Sequence, residues 1–131
     1  MGKSEVLNIQ SSADVVIVRQ AVRQMAIAAG FSLVDQTKIV TAASELARNT
    51  LDYGGGGTVS IEQIDEPRRG IRLTFRDQGP GIPNVELALK DGYTTGSGLG
   101  MGLSGSKRLM SEFKIVSEIG KGTCITVIKW K

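Results

Sequence analysis

Two pairs of alternating segments constrain this chain more than any other feature. "TVSIEQI" (58–64) and "GIRLTFRD" (70–77) alternate apolar with polar residues and are joined by a short polar turn. "KIVSEI" (114–119) and "TCITVIKW" (123–130) do the same around "GKG" (120–122). Period-two alternation gives a strand one buried face, and a connection of a few residues can only join antiparallel neighbours. The sequence therefore predicts two antiparallel hairpins, and "EVLNIQ" (5–10) supplies a further half-buried strand.

Between that first strand and the first hairpin the period lengthens to that of a helix. "SSAD" offers an N-cap, Val15, Val18, Val22, Met25, Ala26 and Ala29 recur on one face, and Gly30 ends the run. Asp35 is expected to cap a second helix with Ile39, Ala42, Ala43, Leu46 and Ala47 as its stripe, ending near Asp52 before "GGGG" (54–57). Residues 79–106 hold eight glycines, with "VELALKDG" (85–92) as a short helix, and "MGLSGSKRLMSEF" (101–113) reads as a longer one. The order strand, helix, helix, strand, strand, loop, helix, strand, strand predicts an α+β two-layer sandwich with one sheet face covered. Its 131 residues are expected to form one domain, 1–131.

Composition narrows the chemistry. There is no histidine, which removes Ser-His and Cys-His catalysis, His-ligated zinc and a phosphohistidine intermediate. The lone Cys124 can form neither an internal disulfide nor a cysteine metal site, and its place in "TCITVIKW" predicts a buried strand residue. A net charge of +3 with both signs scattered and six aromatics argues against nucleic acid as a partner. No apolar run approaches the roughly 18 to 20 residues that span a bilayer, and the first residues lack a signal-peptide core. A cytoplasmic protein with no membrane partner is expected.

Four short motifs remain, in fixed order. "SELARN" (44–49) places Glu45 and Asn49 four apart, one above the other on a helix, flanking its apolar stripe. On spacing alone this is either a solvated helix edge or an amide oxygen for Mg²⁺ beside a carboxylate for a hydroxyl proton. "DQGPGIP" (77–83) is either a surface turn or a strand edge shaped to hold a planar ligand. "GSGLGMGLSG" (96–105) fits the dinucleotide spacing, but neither the preceding buried strand nor the later acidic residue is present; it is a hinge or a backbone cradle for phosphate. "GKGT" (120–123) closes the series and has the wrong order for a Walker lysine.

In this order the four stretches resemble the asparagine box, two glycine boxes and closing Gly-Thr box of the GHKL ATP-binding family, and the element order fits along the whole chain. The resemblance implies the Bergerat fold, a mixed and mainly antiparallel sheet with helices on one face, and ATP and Mg²⁺ as cofactors. It implies that Asp77 hydrogen-bonds the adenine amino group, that Gly79 and Gly81 allow close approach, and that Thr123 supports the adenine. Asn49 is then the Mg²⁺ ligand, the amides of Gly98, Leu99, Gly100, Met101 and Gly102 hold the phosphates, and residues 82–98 form the lid.

Within the family, "VDQTKIVTAASELARN", "FRDQGPGIP" and "GSGLGMGLSGSKRLMSEF" are similar to the RsbT-type switch serine/threonine kinases of the bacterial stressosome. That similarity implies phosphorylation of STAS-domain scaffold or antagonist proteins, with Glu45 as the catalytic base or orienting group. It also implies a downstream partner such as a metal-dependent serine/threonine phosphatase. Two alternatives stay open: an anti-sigma-factor kinase acting on a STAS antagonist, and a nucleotide-gated docking protein without transfer activity. The lack of Arg in "YTTGSG" (93–98) favours the switch kinase over the first, and Glu45 argues against the second, because binding alone has no need of a carboxylate there. Arg48, between Glu45 and Asn49, is either a contact to a phosphate or the partner or, as its type favours, a surface residue.

Overall fold

The computed structural model of the chain describes residues 3–82, 85 and 103–131. Its elements are β1 (Ser4–Ile9), α1 (Ser12–Ala28), α2 (Leu33–Asp52), β2 (Gly57–Ile64), β3 (Gly70–Asp77), α3 (Leu103–Leu109), β4 (Glu112–Glu118) and β5 (Gly122–Trp130). The expected short helix at 85–92 falls almost wholly outside the described residues.

The five strands form one sheet in the order β1-β2-β3-β5-β4, and all four pairings are antiparallel. No parallel pair occurs among the described residues, so the sheet is simpler than the mixed one expected. Both hairpins form as their alternation requires. β5 enters between β3 and β4, so the C-terminal strand pairs both hairpins at once.

Register sorts the side chains. Leu7, Val59, Phe75, Ile125 and Ile115 stand opposite one another across the sheet, and the next row toward the strand ends is Ile9, Gly57, Asp77, Thr123 and Ser117. The first row is core; Val59, Phe75 and Ile125 are buried. The second row shares that face but carries polar groups, so the sheet itself sets Asp77, Thr123 and Ser117 side by side at the margin of the core.

Helices α1 and α2 bury Val18, Val22, Ala26, Ile39, Ala43 and Leu46 against this face. Burial of each large apolar side chain contributes about 1.5–3 kcal/mol. Helix α1 ends in a Schellman motif, with Gly30 at φ 85 and the N–H groups of Gly30 and Phe31 donating to the carbonyls of Ile27 and Ala26. The cap of α2 differs from expectation: Ser32 is the N-cap, accepting from the Asp35 N–H at 3.2 Å. Asp35 instead sits in the first turn, where its charge meets the positive helix end.

The helix expected over 101–113 is shorter. Helix α3 closes at Leu109, and Phe113, read as part of its stripe, belongs to β4 opposite Val127. Local spacing cannot separate the two states over a few residues, and pairing with β5 decides. Cys124 also departs from expectation. It is half-buried on the outer face of the sheet between Arg76 and Val116, because its neighbours Thr123 and Ile125 take the inner positions.

Candidate functional site

One narrow cleft brings together three of the candidate residues, Asn49, Asp77 and Thr123. It lies between α2, the inner sheet face and the start of α3, and is lined by Asn49, Thr50, Tyr53, Phe75, Asp77, Ile82, Leu103, Thr123 and Ile125. Its walls are apolar, from Phe75, Ile82, Leu103 and Ile125, while carboxylate, amide and hydroxyl groups converge from Asp77, Asn49 and Thr123. A planar base with one amino edge suits that donor set. The cleft is narrow in this conformation, so the fit rests on the chemistry of the lining.

Asp77 ends β3, half-buried beside the closing turn. Its carboxylate accepts from the Gly79 N–H at 2.9 Å and from the backbone N–H of Thr123. Burial pushes its carboxyl above the ordinary carboxylate value, and those two N–H groups pull back part of the way. The group is thus held as an acceptor, at some cost, and two backbone amides are the partners recorded for it among the described residues.

The glycines around it are there for space. A Cβ on Gly54 would lie 2.4 Å from Asp77 Cγ and 2.6 Å from its Oδ2, although the Gly54 backbone itself is unstrained. Gly81 has φ +79, and a Cβ there would come within 2.2 Å of the Glu118 carbonyl oxygen. These contacts let the 79–82 segment fold tightly over the Asp77 end of the sheet. Three hydrogen bonds pin it: Tyr53 Oη to the Gly81 carbonyl at 2.7 Å, the Ile82 N–H to Ser117 Oγ at 2.7 Å, and the Gly120 N–H to the Pro80 carbonyl at 2.8 Å.

Asn49 and Glu45 sit one turn apart on α2, as spacing requires. Asn49 is half-buried and lines the cleft, and its carbonyl accepts from the N–H groups of Tyr53 and Gly54 at the helix end. Glu45 is exposed and does not line the cleft. Arg48 is exposed, as expected of a surface residue. Gly98, Leu99, Gly100, Met101 and Gly102, with most of the stretch expected as a lid, lie outside the described residues.

Sequence reasoning missed Tyr53, Gly54 and Ser117. Each left a signal: Tyr53 is four residues beyond Asn49 on the same helix face, and Ser117 follows Phe113 and Ile115 at period two onto the inner face. Gly54 opens a cluster read only as a helix stop. A larger groove of about 710 Å³ lies at the strand ends and shares Asp77 and Thr123 with the cleft; Gly54, Arg76, Ser117 and Lys121 also line it. Asn49 lines the cleft and not this groove, while Asp77 and Thr123 face both.

A family model described as histidine kinase-, DNA gyrase B-, and HSP90-like ATPase matches residues 34–131. The chain belongs to that family. Its matched span contains all but the first residue of α2, the cleft and all the motifs above. The serine/threonine-protein kinase RsbT of Bacillus subtilis strain 168 is 46% identical over 131 residues, covering 99% of this chain and 98% of that protein. An anti-sigma F factor of Anoxybacillus flavithermus is 36% identical over 75% of this chain and 71% of its own length. Among solved structures, the RsbU and RsbW domains of a Mycobacterium tuberculosis protein align with TM-score 0.68 at 20% identity, over 99% of this chain and 32% of that one. A blue-light activated histidine kinase domain from Erythrobacter litoralis aligns at TM-score 0.54 and 16% identity, over 89% of this chain and 59% of that one. At those identities the two structures speak for the shared fold.

Proposed function

We propose that this chain is an ATP- and Mg²⁺-dependent serine/threonine protein kinase of a partner-switching system. Its acceptors are Ser or Thr residues on STAS-domain scaffold or antagonist proteins of a stressosome-type assembly. On release it engages an effector such as a metal-dependent serine/threonine phosphatase. The observation that carries the proposal is the placement of Asn49 in the cleft with Asp77 and Thr123, and of Glu45 one turn away in solvent. Among the described residues no helix is long and apolar enough to cross a membrane.

In this reading the Asp77 carboxylate accepts from the adenine amino group, a bond worth about 1.5–3 kcal/mol. The backbone near Gly79 and Gly81 lies against the ring, and the amides of Gly98 to Gly102 hold phosphate oxygens. Asn49 offers its amide oxygen to Mg²⁺, an ion that takes few protein ligands and shares its shell with water and phosphate. Bound Mg²⁺ supplies charge neutralisation of the transferring phosphoryl group. Glu45 takes or orients the proton of the incoming hydroxyl. Its exposure suits that task, since the acceptor arrives on another protein. Phosphoryl transfer asks mainly for positioning and electrostatics, which these residues provide without a covalent intermediate.

The 46% relative, a named serine/threonine-protein kinase, supports the acceptor class, and its coverage of 99% of this chain exceeds the 75% of the anti-sigma F factor. The test mixes γ-labelled ATP, Mg²⁺ and STAS-domain proteins of the same cell with wild type, Asp77→Asn and Glu45→Ala. Label on a STAS Ser or Thr, lost with both variants while Glu45→Ala still binds nucleotide, is expected. Nucleotide binding that depends on Asp77, with no label on any STAS protein, would leave a docking protein in place of a kinase.

A further inference from the structure

The corner where α1 turns into α2 is both apolar and open to solvent. Ile27, Leu33 and Val34 are 55%, 71% and 65% exposed, and all three flank one tight turn. Single exposed apolar side chains are ordinary, but three about one turn make a patch. Gly30, at φ +85, forms the turn, and the Lys131 side chain packs on it: a Cβ on Gly30 would lie 3.0 Å from Lys131 Nζ. Arg23 stands one turn before Ile27 on α1, and Lys38 one turn after Val34 on α2. Three cations therefore rim the patch.

Their pairing sets them apart from the other cations of the surface. Arg69, Arg72, Lys121 and Lys129 each meet a carboxylate, from Asp65, Glu62, Glu118 and Asp35 in turn. Arg23, Lys38 and Lys131 form no ion pair with a described residue. Asp35, the carboxylate nearest to Val34 in sequence, lies 4.0 Å from Lys129 Nζ. Asp14, the one acid of α1, accepts from the Gln10 N–H at the opposite end of that helix. The corner thus keeps an apolar centre and an uncompensated positive rim.

Its position separates it from the chemistry. The Lys131 N–H donates to the Arg69 carbonyl, beyond the end of β3 opposite Asp77, so the length of that strand, roughly 23 Å, lies between corner and cleft. Glu45 is 11 residues beyond Val34 on α2, roughly 17 Å along the axis. A segment seated on the corner leaves the cleft and Glu45 uncovered. The corner is made of helix ends and offers no strand edge, so that segment must satisfy its own backbone, as a helix does. We infer that the α1–α2 corner docks an acidic amphipathic helix of the effector protein, on a surface separate from the one that receives the phospho-acceptor. The inference rests on the partner-switching proposal above.

Calorimetry of the full chain against the metal-dependent serine/threonine phosphatases of the same cell tests it, with label transfer to STAS proteins as the second readout. Wild type should bind one such phosphatase, and more weakly as salt rises, because exposed charges are screened. Leu33→Ser with Val34→Ser should weaken that binding about 10- to 100-fold. Arg23→Glu with Lys38→Glu should weaken it about 10-fold and remove most of the salt dependence, and Glu→Lys changes on the effector helix should restore it. STAS labelling and the thermal midpoint should stay near wild type in both variants. Unchanged effector binding in both would overturn the inference. So would lost STAS labelling with effector binding intact, which would make the corner the acceptor's surface. A wild-type dimer in sedimentation that both variants dissociate would assign the corner to a second copy of the chain and overturn it too. If wild type labels a STAS protein and binds no phosphatase, the inference alone falls; if it labels none, the function reading fails and the inference with it.

Discussion

Gly54→Ala isolates the geometry of Asp77 from every other property of the cleft. Gly54 is buried and not at positive φ, so alanine meets no backbone penalty there, and the whole effect comes from where the new methyl lands. That place is 2.4 Å from Asp77 Cγ, about 1 Å inside ordinary carbon–carbon contact. Asp77 has little slack, because its carboxylate is tied to the Gly79 N–H at 2.9 Å and to the Thr123 N–H. Relief of the clash moves the carboxylate off the position where it meets the base. Loss of one hydrogen bond to a charged group costs about 1.5–3 kcal/mol, so ADP affinity should fall roughly 10- to 150-fold by calorimetry. Gly55→Ala is the control. Nothing lies within 4 Å of a Cβ there, but φ is +76, so it should destabilise the fold by about 1 kcal/mol while leaving Asp77 in place and affinity near wild type. Wild-type affinity in Gly54→Ala, or an equal loss in Gly55→Ala, would refute the argument.

Asp77 also links the site to pH. Its carboxyl is raised by burial, so the ionised form is the costly one in the folded state, and that cost is present above the folded pKa and absent below the unfolded value. Asp77→Asn should therefore raise the thermal midpoint of the nucleotide-free protein at neutral pH, with the gain shrinking as pH falls into the ordinary carboxylate range. ADP affinity of the wild type should fall over the same acidic window, read by calorimetry, as protonation removes the acceptor. Tyr53→Phe deletes the 2.7 Å bond to the Gly81 carbonyl and should cost about 0.5–1.5 kcal/mol in urea denaturation. Leu46→Ala empties a fully buried position between α2 and the sheet and should cost about 2–5 kcal/mol by the same method, with the unfolding slope unchanged.

Much of this protein is decided by periodicity alone. Alternation over 58–64, 70–77 and 123–130 admits only strands, the short turns force antiparallel neighbours, and the spacing of Val15, Val18, Val22 and Met25 admits only a helix with one buried side. Asn49 and Glu45 are one turn apart wherever such a helix goes, and Asp77 stands at a strand end in any register. These are short-range facts, set by the pitch of a helix and the pleat of a strand. Tertiary structure decided what depends on partners distant in sequence. Phe113 left the helix for β4 because β5 offered Val127 across the ladder. Cys124 moved to the outer face because its neighbours Thr123 and Ile125 took the inner one. Gly54 became a neighbour of Asp77, and Ser117 of Ile82, only once α2 and the two hairpins had docked. No local period encodes those approaches, since each joins atoms whose separation is set by how whole elements pack.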